Sequence, residues 1–177
     1  MIHPDTKDWT WVLQRPCPDC GFDATAAAAN DVAELVRANG REWQLQLAAG
    51  VIKAGRPNEH TWSSLEYACH GRDVYRRYDE RIMLMLAEED PLFANWDQDA
   101  TALEDRYEQQ DPAVVVAELV ADADAVAGRL ERITDRQWSR PGRRSDGASF
   151  SIASLALYMV HDLIHHIWDV TSSAQPG

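Results

Sequence analysis

The sequence predicts an all-α protein, a four-helix bundle with a long crossover between its second and third helices. Three observations carry that prediction. Four segments repeat their apolar residues at helical spacing. No segment shows a convincing strand alternation. The connection between the second and third segments spans residues 89–110, whereas helix hairpins usually need about 2–8 residues. A linker of that length can cross the bundle, leaving helices two and three parallel and helices two and four antiparallel. At 177 residues the chain is long enough for one domain with a substantial core.

The first segment covers residues 24–50, with Asp23 as its N-cap and Val32, Leu35, Val36, Trp43 and Leu47 near helical spacing. Gly40 weakens its middle. The second opens with "SSLE", a capping box with Ser63 as N-cap and Glu66 reaching back, and continues to residue 88. The third begins at Asp111-Pro112, a capping residue followed by the favoured N1 proline, and runs to residue 133. The fourth follows "GRRSDGASFS", with Ser149 or Ser151 as cap, and ends near residue 171. We divide the chain into a lead-in, 1–22, carrying the "CPDC" turn, and a bundle, 23–177.

The formal charge of −12 disfavours a nucleic-acid backbone or an anionic membrane as partner, since both need clustered Lys and Arg. No run approaches the apolar length of a membrane span, and the polar start "MIHPDTKDWTW" has no signal-peptide core, so a cytoplasmic location is expected. The expected partner is a small molecule, with a homodimer as the assembly to test. Three cysteines read as thiols or ligands, not as a disulfide framework.

The chemistry concentrates in "MVHDLIHHIWDV", residues 159–170. His161 and His165 are four apart and share a helix face, whereas His166 is rotated by about 100°. His70, in "LEYACHGRD", lies near the start of the second helix. If helices two and four are antiparallel, His70 reaches the same end of the bundle as the pair. The expectation is therefore one divalent ion on His70, His161 and His165, with Zn or Ni as first candidates. Three ligands leave a position open for water or substrate, the pattern of a catalytic site. Asp73 and Asp169 are placed to orient the rings. Glu66, one turn before His70, is the candidate general base. Trp96 is expected at the mouth of the pocket, and Arg143 and Arg144 are expected to hold an anionic substrate.

Other signals are weaker. The bare "HD" of His161-Asp162 is shared with helical phosphohydrolases, but Asp162 turns away from the His161–His165 face. Cys17 and Cys20 form half of a zinc knuckle with no second C-x-x-C, so they are expected to bind no separate zinc. A packed reduced turn, a redox dithiol and a thiol lent to a metal site stay open for them. Most of the tryptophans, among them Trp62, Trp138 and Trp168, fit as caps on the bundle ends.

"WSSLEYACHGRD", followed far downstream by "HDLIHHIWDV", resembles the DinB-like four-helix bundles, the superfamily that includes mycothiol-dependent maleylpyruvate isomerases. The "RPCPDCGFD" lead-in and the "PGRRSDGASF" loop are similar to an actinobacterial branch, while "HHIWD" departs from the "HHRGQ"-like ending common elsewhere. The resemblance implies an up-down-down-up bundle with a divalent metal on His70, His161 and His165. It further implies a metal-dependent thiol transferase or thiol-dependent isomerase, with a low-molecular-weight thiol as cosubstrate. The alternatives are a metal-dependent hydrolase and a non-enzymatic metal-binding or stress-response bundle.

Overall fold

The computed structural model describes residues 8–172. The outermost parts of the 1–22 lead-in and of the 23–177 bundle lie outside them, as does most of the polar N-terminal run. Four long helices dominate: α1 (Val32–Ala48), α2 (Ser64–Ala87), α4 (Pro112–Leu130) and α5 (Ile152–Ser172). A short α3 (Gln98–Glu104) lies in the crossover, and a hairpin of β1 (Pro141–Arg143) and β2 (Ser149–Ser151) precedes α5.

Side-chain pairs give the helix directions. Along α2 and α4 the partners advance together: Arg72 with Glu118, Arg76 with Asp122, Arg129 with Asp79. These helices are parallel. Along α2 and α5 they run in opposite order, His70 meeting His166 and Tyr78 meeting Tyr158. Along α1 and α4 the order is also reversed, Arg37 pairing with Glu131 and Gly40 facing Ala123. The result is an up-down-down-up bundle, with the crossover carrying the chain back along its length.

Caps set the boundaries. The Ser63 hydroxyl accepts the Glu66 N–H at 3.1 Å, and Glu66 Oε2 accepts the Ser63 N–H at 2.8 Å, closing the capping box. Asp111 Oδ1 accepts from the N–H groups of Ala113 and Val114 at the start of α4. Ser151 and Ser154 bond each other's N–H groups at the start of α5.

Two expectations are corrected. Residues 24–31 do not join α1, because Asp23 Oδ1 folds back on the Thr25 N–H and hydroxyl and makes a local turn. The segment before α5 pairs as a small hairpin, Gly142 opposite Phe150, where the sequence showed no strand. Three-residue strands are too short to leave a periodic signal.

The core is one cluster between the helices, with Trp43, Leu65, Tyr75, Ile82, Leu119, Leu155, Met159 and Leu163 all fully buried. Each such side chain contributes about 1.5–3 kcal/mol of burial. Gly40 has a packing reason: a Cβ there would lie 3.3 Å from Ala123 Cβ, so α1 and α4 approach closely at that level. Among the described residues no helix is long and apolar enough to cross a membrane.

Candidate functional site

The core stripes of α2 and α5 converge at one end of the bundle, and there each turns polar. On α5 the inward positions 155, 159, 162 and 166 read Leu, Met, Asp, His. On α2 the stripe runs back from Tyr78 through Val74 to His70 and Glu66, all buried. His70, Asp162 and His166 therefore meet, with one ligand atom from each within 4.8 Å of the others. His70 is 2% exposed, its Nε2 lies 4.0 Å from Asp162 Oδ2, and its ring meets that of His166 edge-on at 4.9 Å.

Electrostatics pulls these groups apart. Burial, with His166 beside it, pushes His70 down to about 4, so its ring is neutral at pH 7. Burial opposes the charge of Asp162, but His166, His70 and His161 hold its carboxyl down to about 2. Burial likewise opposes a charge on His166, yet Asp162 and Asp169 lift it to about 9. His166 Nδ1 lies 3.1 Å from Asp169 Oδ2, which fixes the ring. Its Nε2 lies 3.2 Å from Asp162 Oδ1 but has no aligned hydrogen bond. A buried ring nitrogen 3.2 Å from a carboxylate but off the line of a hydrogen bond, with a neutral imidazole beside it, suits a divalent cation. Two imidazoles and one carboxylate leave further coordination positions open. The Asp169–His166 pairing is the outer support such a ligand usually has.

Asp162 and His166 line a cavity of about 850 Å3, walled by Trp9, Trp62, Trp96, Tyr67, Tyr158 and Trp168 among others. The Trp96 ring stacks on His70 at 5.4 Å and 6°, and its Nε1 donates to Thr101 of α3. The crossover thus supplies one wall of the cavity. Trp62, taken for an end cap, also packs on His70, at 5.2 Å.

The other residues singled out from the sequence are distributed differently. His161 and His165 do not join His70. They face the lead-in, where they and Cys17 and Cys20 place four ligand atoms within 4.8 Å of one another. Asp73 does not orient His70, because it accepts from Arg72 Nε and from the Tyr107 hydroxyl. Asp169 bonds His166 and stays 3.9 Å from His165 Nε2. Arg143 points away from the cavity and pairs with Asp90 at 2.9 Å, whereas Arg144 lines it, held by Asp146 and the Tyr158 hydroxyl.

Glu66 is 1% exposed and fully engaged, by the Ser63 N–H and by a two-pronged ion pair with Arg56. Burial opposes its charge, but these hydrogen bonds hold its carboxyl below the usual range. That is the environment of a structural anion, not of a base poised near pH 7. Glu66→Gln is expected to cost about 1–3 kcal/mol in denaturant melts, from weakened bonds to a buried charge. Metal affinity should stay unchanged in a calorimetric titration; a large loss would return Glu66 to the site.

Arg81 carried no sequence signal. It is 8% exposed, lines the cavity, and lies over the rings of Tyr78 and Phe93 at 5.2 and 5.4 Å. Its Nε has no hydrogen-bond partner, and no carboxylate pairs with it among the described residues. Only the folded surroundings set it apart from the other arginines of α2.

No curated protein matches the sequence. Among solved structures, the chain is similar to YfiT from Bacillus subtilis, with a TM-score of 0.72 and 19% identity, over 81% of this chain and 86% of that one. That protein is described as "a probable metal-dependent hydrolase with an unusual four-helix bundle topology". At such identity the likeness is one of fold. The sequence profile of the DinB superfamily matches residues 22–170, most of the chain. With that match, the crossed-over bundle and the polar end where α2 meets α5, the chain belongs to the DinB superfamily.

Proposed function

We propose that this protein is a divalent-metal enzyme that joins a small nucleophile to an anionic electrophile, the nucleophile being a low-molecular-weight thiol. One observation carries the reading. His70, Asp162 and His166 form a three-ligand group in which His70 Nδ1 and His166 Nε2 make no hydrogen bond, and that group opens on a cavity instead of being sealed in the core. A divalent ion bound there supplies Lewis acidity, which activates a nucleophile at neutral pH. The chain's own residues do the rest. Asp169 holds His166 in register. Trp96 and Trp62 fix His70 between rings and keep bulk water from its buried side. Arg144 and Arg81 give the cavity two guanidinium groups in an acidic protein, which suits a carboxylate-bearing substrate.

At about 850 Å3 the cavity has the size of sites that take small organic molecules, which is compatible with a thiol cosubstrate beside the electrophile. The test is a metal-dependent assay of thiol conjugation and isomerisation with anionic electrophiles, run beside ester and amide hydrolysis. Thiol-dependent turnover that disappears on chelation is the expected result. Turnover of esters or amides without thiol would select hydrolysis, the reading favoured by the likeness to YfiT. No metal-dependent turnover with any of them would overturn the enzyme reading.

Arg81→Met should raise KM for an anionic substrate by about 10–100-fold with a smaller change in kcat, since it removes a charged hydrogen-bonding partner. An unchanged KM would exclude Arg81 from substrate binding.

A further inference from the structure

We propose that Cys17, Cys20, His161 and His165 form a second, closed zinc site that fastens the N-terminal lead-in to helix α5. The inference is independent of the proposed activity. The lead-in supplies C-x-x-C on a tight turn, and α5 supplies H-x-x-x-H one helical turn apart. These spacings are those of two-cysteine, two-histidine zinc sites. Their four ligand atoms lie within 4.8 Å of one another.

The detail fits a tetrahedron. With ligand distances of about 2.3 Å to sulfur and 2.05 Å to nitrogen, tetrahedral geometry separates the two atoms by about 3.6 Å. Cys17 Sγ lies 3.6 Å from His165 Nδ1. Both cysteines are free thiols. The turn holding them is preformed: the Cys17 N–H donates to the Phe22 carbonyl at 2.9 Å, and its carbonyl accepts the Gly21 N–H at 3.0 Å. Gly21 sits at φ +74°, a conformation that glycine adopts without strain. Cys17 is 1% exposed and His161 3%, and the buried His161 Nε2 has no hydrogen-bond partner. A polar group is rarely left that way unless a further ligand completes it. Trp9 covers the two imidazoles at 5.7 and 5.2 Å, and it also walls the cavity.

The placement has a consequence for α5. His161 and Asp162 are neighbours, as are His165 and His166, and each pair diverges by about 100° around the helix. One member of each pair turns to the cysteines and the other to His70. A metal gripping the first face therefore fixes the rotation of α5 that presents Asp162 and His166 to the cavity.

The experiment uses the whole chain, stripped of metal and reloaded with cobalt(II) or zinc. Cobalt should produce a thiolate-to-metal charge-transfer band in the near ultraviolet and strong tetrahedral d–d bands. The Cys17→Ser/Cys20→Ser double variant should lose the charge-transfer band, and His70→Ala should keep it. Zinc analysis should find one equivalent fewer in either variant than in the unmodified chain. Because the double variant can fail to fold, thiol reactivity is followed in the unmodified protein too. Cys17 and Cys20 should react at least about 10-fold more slowly with a thiol reagent when zinc is bound than after chelation. No charge-transfer band at saturating cobalt, a band that survives loss of both cysteines, or equal thiol reactivity with and without zinc would each overturn the proposal. Unchanged zinc content in His70→Ala, with the charge-transfer band still lost in the double variant, would count against the functional reading and leave this one standing.

Discussion

His166→Ala should abolish metal binding at the cavity and, with it, the activity that depends on that metal. His166 offers an Nε2 that lies 3.2 Å from Asp162 without an aligned hydrogen bond, and it is held by Asp169. Even the loss of a residue that only supports a ligand typically costs about 10–100-fold in affinity, so deleting a ligand should cost at least about 100-fold. His70→Ala and Asp162→Ala should behave alike. Asp169→Asn should fall in the milder range, since it disturbs the orientation of His166 and leaves its ring in place. His161→Ala and His165→Ala should spare this metal and remove the one at the cysteines. Calorimetric titration of each metal-free variant, paired with metal analysis, separates the two sites. If His166→Ala kept the cavity metal while His161→Ala lost it, the all-histidine set expected from the sequence would replace the present assignment.

The metal-free chain should be most stable near pH 6.5 and lose stability on both sides. His70 and His161 are both held down to about 4 by burial and by neighbouring imidazoles. The unfolded chain therefore takes up protons that the folded chain refuses between pH 6.5 and about 4, and stability falls with acid through that window. His166 behaves in the opposite sense. Burial works against its charge, but Asp162 and Asp169 raise it to about 9. Its stabilising contribution is fully present below pH 6.5 and is lost as pH rises through about 9. The contribution of Asp162 is present above the ordinary carboxylate range and is lost only as pH falls through about 2. A displacement from 6.5 to about 9 corresponds to on the order of 3 kcal/mol. In a chain of this size that is on the order of 5–10 °C in Tm. Melts in the presence of chelator from pH 4 to 9.5 provide the measurement. In the metal-loaded protein the alkaline limb should flatten, because a metal-bound His166 has already given up its proton. A Tm that rises steadily from pH 6.5 to 9 in the chelated protein would rule out the His166–Asp162 ion pair.

Much of the bundle was legible in local chemistry. The capping box at Ser63 and Glu66 and the Asp111-Pro112 start both form as read, because each is a contact among residues three or fewer apart. The long connection after α2 indicated the parallel pairing of α2 and α4, because its length alone made a hairpin improbable. The start of α1 was misjudged, since Asp23 offered its carboxylate equally well to a turn. The 141–151 hairpin was hidden by its shortness.

The ligand sets divide along the same line. The residues able to ligate a metal were visible in the sequence: the histidines and aspartates of 161–169, His70, and the "CPDC" turn. Which of them meet was not, because two pairs with identical i,i+4 spacing sit one residue apart, His161 with His165 and Asp162 with His166. Spacing along a helix does not distinguish them; a rotation of about 100° does. That rotation follows from burying Leu155, Met159 and Leu163 against α2 and α1, which carries Asp162 and His166 inward toward His70 and turns His161 and His165 toward the lead-in. For the same reason Cys17 and Cys20 looked two ligands short in the sequence. The imidazoles near them, His161 and His165, lie more than 140 residues away in the sequence, and only the packing of the lead-in against α5 brings them together.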